Sequence, residues 1–322
     1  MIAESDLGRK IETLAQQYDL AKKQLEGHPQ YERIGKILQK DLPPEALQLI
    51  KSYETARGKL IEQGIPVDSI LPEMHHSSVL VTLEGEYIKL ENLVCVDADG
   101  NEFERYGELY VRTDIFRDQR GQQQNFTPYN GAVYCEQNGL FLPSFALSCN
   151  ILQALFQQRS IPEIKRVLDH YKDKGNGTGY HGQNTIIDFG AENVIHYPTA
   201  TEFNQTGAVN SARSRRRGTF DKSTLQDCLL EDALREAEPT RYVKQLSGLR
   251  NPSILVEIGD YFGRPAKLWF PWNGKKGANY REKRAAWLGC DSINFNLFAY
   301  SNLDIYDAAR GVRFDMPAGY AP

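Results

Sequence analysis

The sequence predicts an α+β protein of 322 residues in three successive units: a helical region over 1–72, a small β-rich unit with its connector over 73–130, and a mixed domain over 131–322. Three observations predict it. Leu7, Ile11, Leu14, Tyr18, Ala21 and Leu25 step by fours and threes, as a heptad seam does. Short β-type runs then crowd 79–112, separated by turn residues. Beyond 131 the pattern alternates between helical and extended segments, as expected when helices pack on a sheet.

In the first unit the seam ends at Gly27-His28-Pro29, and helices follow over 31–40 and 44–63. A coiled coil of about three heptads is marginal alone, so this helix either pairs between chains in a homo-oligomer or packs against the next helices. Pro66 to Pro72 reads as a linker. In the second unit Val79–Leu83, Tyr87–Leu90, Leu93–Val96 and Leu109–Arg112 read as strands. Asp97, Asp99, Asn101 and Glu108 sit at offsets like those of an EF-hand, but the glycine is misplaced and no helices flank the loop. An Asp-Gly hairpin turn is the expected reading. Residues 117–130 are a polar connector.

The third unit is expected to open with a strand at Gly131–Cys135. Pro143-Ser144 then suits a helix start, leading into helices over 145–158 and 162–172. A strand is expected at Asn184–Phe189. Next come a helix within 219–249, begun by a capping-box variant at Thr224 and Asp227 and broken at Pro239, and strands at Ser253–Ile258 and Ala266–Phe270.

The last strand and its loop, 291–307, depart from ordinary surface chemistry. By the period of two, Phe295, Leu297 and Ala299 face a core while Asn294, Asn296, Phe298 and Tyr300 face out. Wet strand faces usually carry Lys, Glu and Thr. This one, with the loop residues Ser301, Asn302, Asp304, Ile305, Tyr306 and Asp307, uses only Asn, Asp, Ser, Tyr, Ile and Phe, all of them among the residues reached by replacing adenines in an AAC asparagine codon. Turn chemistry accounts for Asn, Asp and Ser, but not for exposed Phe298, Tyr300, Ile305 and Tyr306. Aromatics among small polar residues are the composition of a binding loop.

The segment resembles the variable region of proteins diversified by a retroelement that copies a template with errors at adenine, a system of phages, bacteria and archaeal viruses. Their fold resembles that of C-type lectins. The stretch Pro198-Thr199-Ala200-Thr201-Glu202-Phe203 is similar to the signature of the formylglycine-generating-enzyme-like branch of that fold, and Arg310-Gly311-Val312-Arg313-Phe314 is similar to its closing strand. The resemblance covers 131–318. It implies a ligand-binding domain over 131–322 that displays Asp291, Ser292, Asn294, Asn296, Phe298, Tyr300, Ser301, Asn302, Asp304, Ile305, Tyr306 and Asp307 to a protein or glycan on a target cell. Trp287, Phe295, Leu297, Ala299 and Val312 would form the constant scaffold. It further implies a phage or viral receptor-binding protein, made in the host cytoplasm and carried on the virion.

Other classes are disfavoured by composition. A net charge of -4 provides no general attraction to nucleic acid or anionic membranes. Apolar runs such as 140–156 are interrupted, so no membrane insertion is expected, and the first residues lack the pattern of a secretory signal. Cys95, Cys135, Cys149, Cys228 and Cys290 are scattered, which points to buried thiols rather than a disulfide framework or zinc site. His181, Asp188 and His196 lack a metal-ligand spacing. The basic run Arg213, Arg215, Arg216 and Arg217 reads as a solvated loop or an anion site, and 175–182 as a glycine-rich turn. No cofactor is implied. The alternatives are an oxidoreductase of the formylglycine-generating kind, which would lack the partner cysteine that Cys290 needs, and a structural virion component assembled through its amino-terminal helices.

Overall fold

The computed structural model describes residues 79–173, 179–206, 215–269, 283–301, 303 and 307–314. The helices expected within 1–72 lie outside them, and the rest belongs to one compact unit, 78–322.

β1 (Leu80–Glu84) and β2 (Tyr87–Val96) form a hairpin, and β2 pairs antiparallel with β3 (Glu102–Arg112). The two runs expected at 87–90 and 93–96 are one strand, because Asn92 takes φ 61° and lets the backbone pass without ending the ladder. Asp97–Asn101 is the expected hairpin turn: the Asp97 carboxylate accepts the backbone N–H groups of Asp99 at 3.0 Å and Asn101 at 2.9 Å. Glu108 lies in β3, paired with Lys89 at 2.7 Å, so it takes no part in an EF-hand-like loop.

The connector is more structured than expected. It contains β4 (Asn125–Phe126), then α1 (Pro128–Gln137) where a strand was expected. Thr127 caps α1 by accepting the Asn130 N–H at 3.1 Å, Pro128 fits the first turn, and Gly131, Ala132 and Cys135 are buried at helical spacing. α2 (Phe145–Gln157) starts, as expected, at Ser144, whose hydroxyl accepts the Leu147 N–H at 3.1 Å, and α3 (Pro162–Lys172) follows. α2 is buried along almost its whole length, lying against β2 of the small sheet and against β5 (His181–Asp188) and β10 (Lys283–Cys290) of the larger one.

β6 (Asn193–His196) and β7 (Arg215–Thr219) extend the larger sheet; Arg215, Arg216 and Arg217 thus lie in a paired strand, not in the expected loop. The capping box expected at Thr224 and Asp227 is absent. Instead Asp221 caps the short 3-10 turn Lys222–Thr224 through Ser223 N–H at 2.8 Å. After β8 (Cys228–Leu229) and α4 (Leu230–Ala233), α5 (Ala237–Ser247) takes Pro239 into its first turn, where a missing N–H costs nothing, so Pro239 opens the helix and does not break it. The strand expected at 253–258 is α6 (Ile254–Phe262), whose buried Leu255, Ile258, Gly259 and Phe262 follow a helical stripe, ended by Gly263 at φ 68°.

β9 (Ala266–Trp269), β11 (Phe295–Ser301), β12 (Asp307–Ala308) and β13 (Val312–Arg313) complete the described strands. The larger sheet runs β4-β12-β5-β10-β11-β9-β8, with β6 and β7 branching from β5. β13 crosses to the small sheet and pairs with β3, so the small sheet includes a strand from the end of the chain. Gly311 is fixed there by space: a Cβ would meet Leu140 Cδ1 at 2.7 Å. The expected scaffold residues Trp287, Phe295, Leu297 and Val312 are all buried.

Candidate functional site

The site expected on β11 rests on β10, which is buried over Arg284–Cys290 between β5 and β11. The register sets Cys290 opposite Phe295 and Gly289 opposite Asn296, and β9 runs parallel on the far side of β11. Gly289, at φ 142°, admits the backbone of Gly179, whose carbonyl would lie 2.2 Å from an added Cβ; the Gly179 N–H in turn donates to Cys290 O at 2.7 Å. This close approach brings Tyr180 under the hairpin.

The hairpin is closed by Asp291. Its Oδ1 accepts the N–H groups of Ile293 at 2.7 Å and Asn294 at 2.6 Å, and its own N–H donates to Asn294 O at 3.0 Å. Its Oδ2 accepts from Tyr180 Oη at 3.2 Å and from Asn296 Nδ2 at 2.9 Å. Asn296 Nδ2 also donates to Tyr180 Oη at 2.7 Å, while its Oδ1 accepts from Trp269 Nε1 at 2.6 Å. Arg264 ties the start of the turn to the end of α3 by donating to Asp291 O and, at 2.9 Å, to Lys172 O.

Partial burial raises the Asp291 pKa, but the backbone N–H groups of Asn294 and Ile293, with Asn296 and Tyr180, outweigh it and hold the carboxyl below its ordinary range. Burial, with the Asp291 charge beside it, pushes the Tyr180 phenol up. Cys290 is buried and its thiol is pushed up to about 12 by desolvation, against the pull of Arg264.

The expected display set therefore divides. Ser292 is exposed, and Asp291, Asn294 and Asp307 are half-buried. Asn296 is a correction: it lies on the face opposite Phe295 and Leu297 but is 0% exposed, covered in part by Tyr180 and Trp269, with its amide engaged at both ends. A polar residue on the second face of a strand is wet only if nothing packs there. Phe298, Tyr300 and Ser301 belong to the backbone of β11, and Asn302, Asp304, Ile305 and Tyr306 lie outside the described residues, as does Arg213.

Sequence reasoning missed Ile293, which is 70% exposed at the hairpin tip, and the supporting pair Tyr180 and Trp269. The run from Asp291 to Asn294 could have identified the tip, since Asp is a turn residue and an exposed Ile there is anomalous. The two supports come from distant parts of the chain and leave no local signal.

The other candidate sites resolve into structure. His196 is a core histidine: its Nδ1 lies 3.0 Å from Thr185 Oγ1 and its Nε2 3.2 Å from Gln245 O. His181 and Asp188 stand at opposite ends of β5, roughly 23 Å apart at the rise of an extended strand, so they cannot share an ion. Among the described residues no group of three or more His, Cys, Asp and Glu could hold a metal, and no helix is long and apolar enough to cross a membrane. The PTxxE stretch closes on itself: Glu202 Oε2 accepts from Thr199 N–H at 2.7 Å and Oγ1 at 3.1 Å, while Glu202 N–H donates to Thr199 Oγ1 at 3.3 Å. This reciprocal box seats Phe203 in a core with Ile186 and Ile195.

No protein-family model matches the chain, and comparisons with curated proteins and with solved structures found no match.

Proposed function

We propose that this chain is a target-binding protein of the retroelement-diversified kind, with a C-type-lectin-like domain over 131–322 whose variable surface is the β10–β11 hairpin tip, the outer part of β11 and the loop after it. The observation that carries the reading is the recurrence of Asn, Asp, Ser, Tyr, Ile and Phe, each reachable from an AAC codon by change at adenine, at the outward and loop positions of 291–307, on a strand whose inward side chains Phe295 and Leu297 are buried. Close packing forbids change at the scaffold while leaving the tip free to vary. In this reading Ser292, Phe298, Tyr300, Ser301, Asn302, Asp304, Ile305 and Tyr306 meet the target, Ile293 joins them, and Asn296 is a fixed strut behind them. Aromatic residues anchor the contact and small polar ones adapt it. The protein belongs to a phage or viral particle, where several copies raise weak single-site binding to a protein or glycan on the target cell.

The oxidoreductase alternative would require Cys290 as a thiolate, a form that its burial disfavours. The test is a library in which Ser292, Phe298, Tyr300, Asn302, Asp304, Ile305 and Tyr306 are randomised among Asn, Asp, Ser, Tyr, Ile and Phe. Most members are expected to fold as the parent does, by thermal melting, and to yield binders to unrelated cell-surface targets. A library whose members largely fail to fold would overturn the proposal.

A further inference from the structure

A second site lies away from β11 and does not rest on the reading above. A pocket of about 400 Å³ opens where the end of β3 and residues 113–117 face α3. Its charged lining comprises Arg112, Arg117, Arg166, Asp114 and Glu86, beside His170. This is a concentration of guanidinium groups in a chain of net charge -4.

The cations are unequally satisfied. Arg117 is committed to Asp114, with Nε 2.9 Å from Oδ2 and Nη2 3.2 Å from Oδ1, and its Nη1 donates to Gly121 O at 3.2 Å. Arg112 and Arg166 have no ion-pair partner among the described residues. Arg112 lies over the Phe116 ring at 4.9 Å, a contact that orients the guanidinium without consuming its N–H donors. Arg166 is exposed on α3 at the rim.

Behind the pocket lies Arg310, 3% exposed, donating from Nη1 to Arg112 O at 2.6 Å and from Nη2 to His170 Nδ1 at 3.0 Å. Its Nε is buried without a hydrogen-bond partner. Arginine has no acceptor, so His170 Nδ1 accepts from Arg310 and a neutral ring carries its proton on Nε2; Nδ1 also lies 3.9 Å from Asp114 Oδ1. Desolvation, with Arg310 beside it, accordingly pushes His170 down to about 4.

Guanidinium groups without a carboxylate, backed by a buried third, favour an oxyanion. The pocket volume falls within the range of small-ligand sites, about 300–1,000 Å³, and far exceeds what a bare oxyanion fills. Glu86, exposed at the edge, is placed to accept from hydroxyl groups. We propose that this pocket binds a small sugar bearing a phosphate or sulfate monoester, the oxyanion held by Arg112 and Arg166, and the sugar hydroxyls facing Glu86.

The experiment titrates the whole chain, by calorimetry at low ionic strength, with glucose 6-phosphate, glucose 6-sulfate and glucose. One or both esters are expected to bind saturably and glucose not to bind; the tighter ester identifies the source of the oxyanion. Arg166→Gln is expected to weaken the ester about tenfold, a loss of one charge-assisted contact, and the Arg112→Gln/Arg166→Gln pair to abolish binding. The proposal is overturned if neither ester binds at roughly 10 mM, where even a millimolar site would be mostly filled. It is equally overturned if glucose binds as well as the esters or if the double variant binds like the parent. Should the double variant fail to fold, Arg166→Gln decides alone, because its side chain is exposed: an unchanged affinity sinks the site.

Discussion

Ser292 at the tip of the β10–β11 hairpin and Asn296 near the start of β11 are both small polar residues four positions apart in sequence, yet they differ in structure. At the tip, Ser292 and Ile293 are exposed. Just beyond it Asn296 is fully buried and bound to Trp269, Tyr180 and Asp291. Composition marks both as replaceable surface; packing separates a display position from a strut. A short polar side chain is inexpensive to change in water and costly to change where its partners would be left buried without hydrogen bonds.

The largest effect that sharpens this contrast is at the strut. Asn296→Ala removes the acceptor of the Trp269 N–H and the donors to Tyr180 Oη and Asp291 Oδ2, and is expected to cost about 2–4 kcal/mol in denaturant unfolding, against a change within about 0.5 kcal/mol for Ser292→Ala. Equal, small effects would erase the distinction. Asp291→Ala removes the acceptor that closes the turn and is expected to cost about 1–2 kcal/mol by the same measurement. Thr199→Ala, which opens the box with Glu202 far from the hairpin, should cost about 1 kcal/mol and leave any binding by the tip unchanged.

The smallest effect is in acid. The Asp291 carboxyl is held below its ordinary value of 3.8, so its contribution is fully present above that value and is lost as the pH falls through the depressed folded-state pKa. The stability gap between the parent and Asp291→Asn should therefore be constant near neutrality and narrow only below about pH 4, followed by denaturant titration at several pH values. A gap that closes near neutrality would show that the carboxylate is not what holds the turn.

Local signals exposed much of this fold. Ser144 and Pro162 marked the starts of α2 and α3, Asp97 and Gly100 marked a turn, and the alternation of Phe295 and Leu297 marked the core face of β11. The failures have physical causes. α1 and α6 were read as strands because Val133, Ile254 and Val256 favour extended backbone, while the burial of Ala132 with Cys135 and of Leu255, Ile258 and Phe262 follows the helical period. The pairing of β13 with β3 joins segments from opposite ends of the described unit, and no window of sequence contains it. At the candidate site the turn and inward face were legible, whereas the cover over Asn296 was not, since Tyr180, just before β5, and Trp269, at the end of β9, are remote in sequence.

The central claim is that 291–307 is a diversified surface on a constant scaffold. The most direct test is to sequence the DNA around the 3′ end of the coding region and look for a near-copy of the segment encoding Trp287 to Phe314 beside a reverse transcriptase. The account predicts such a copy, differing from the gene only where the copy has adenine, with differences at positions such as Ser292, Tyr300 and Tyr306 and none that alter Trp287, Phe295, Asn296 or Leu297. Finding no copy, or one whose differences fall on those buried residues, would contradict it.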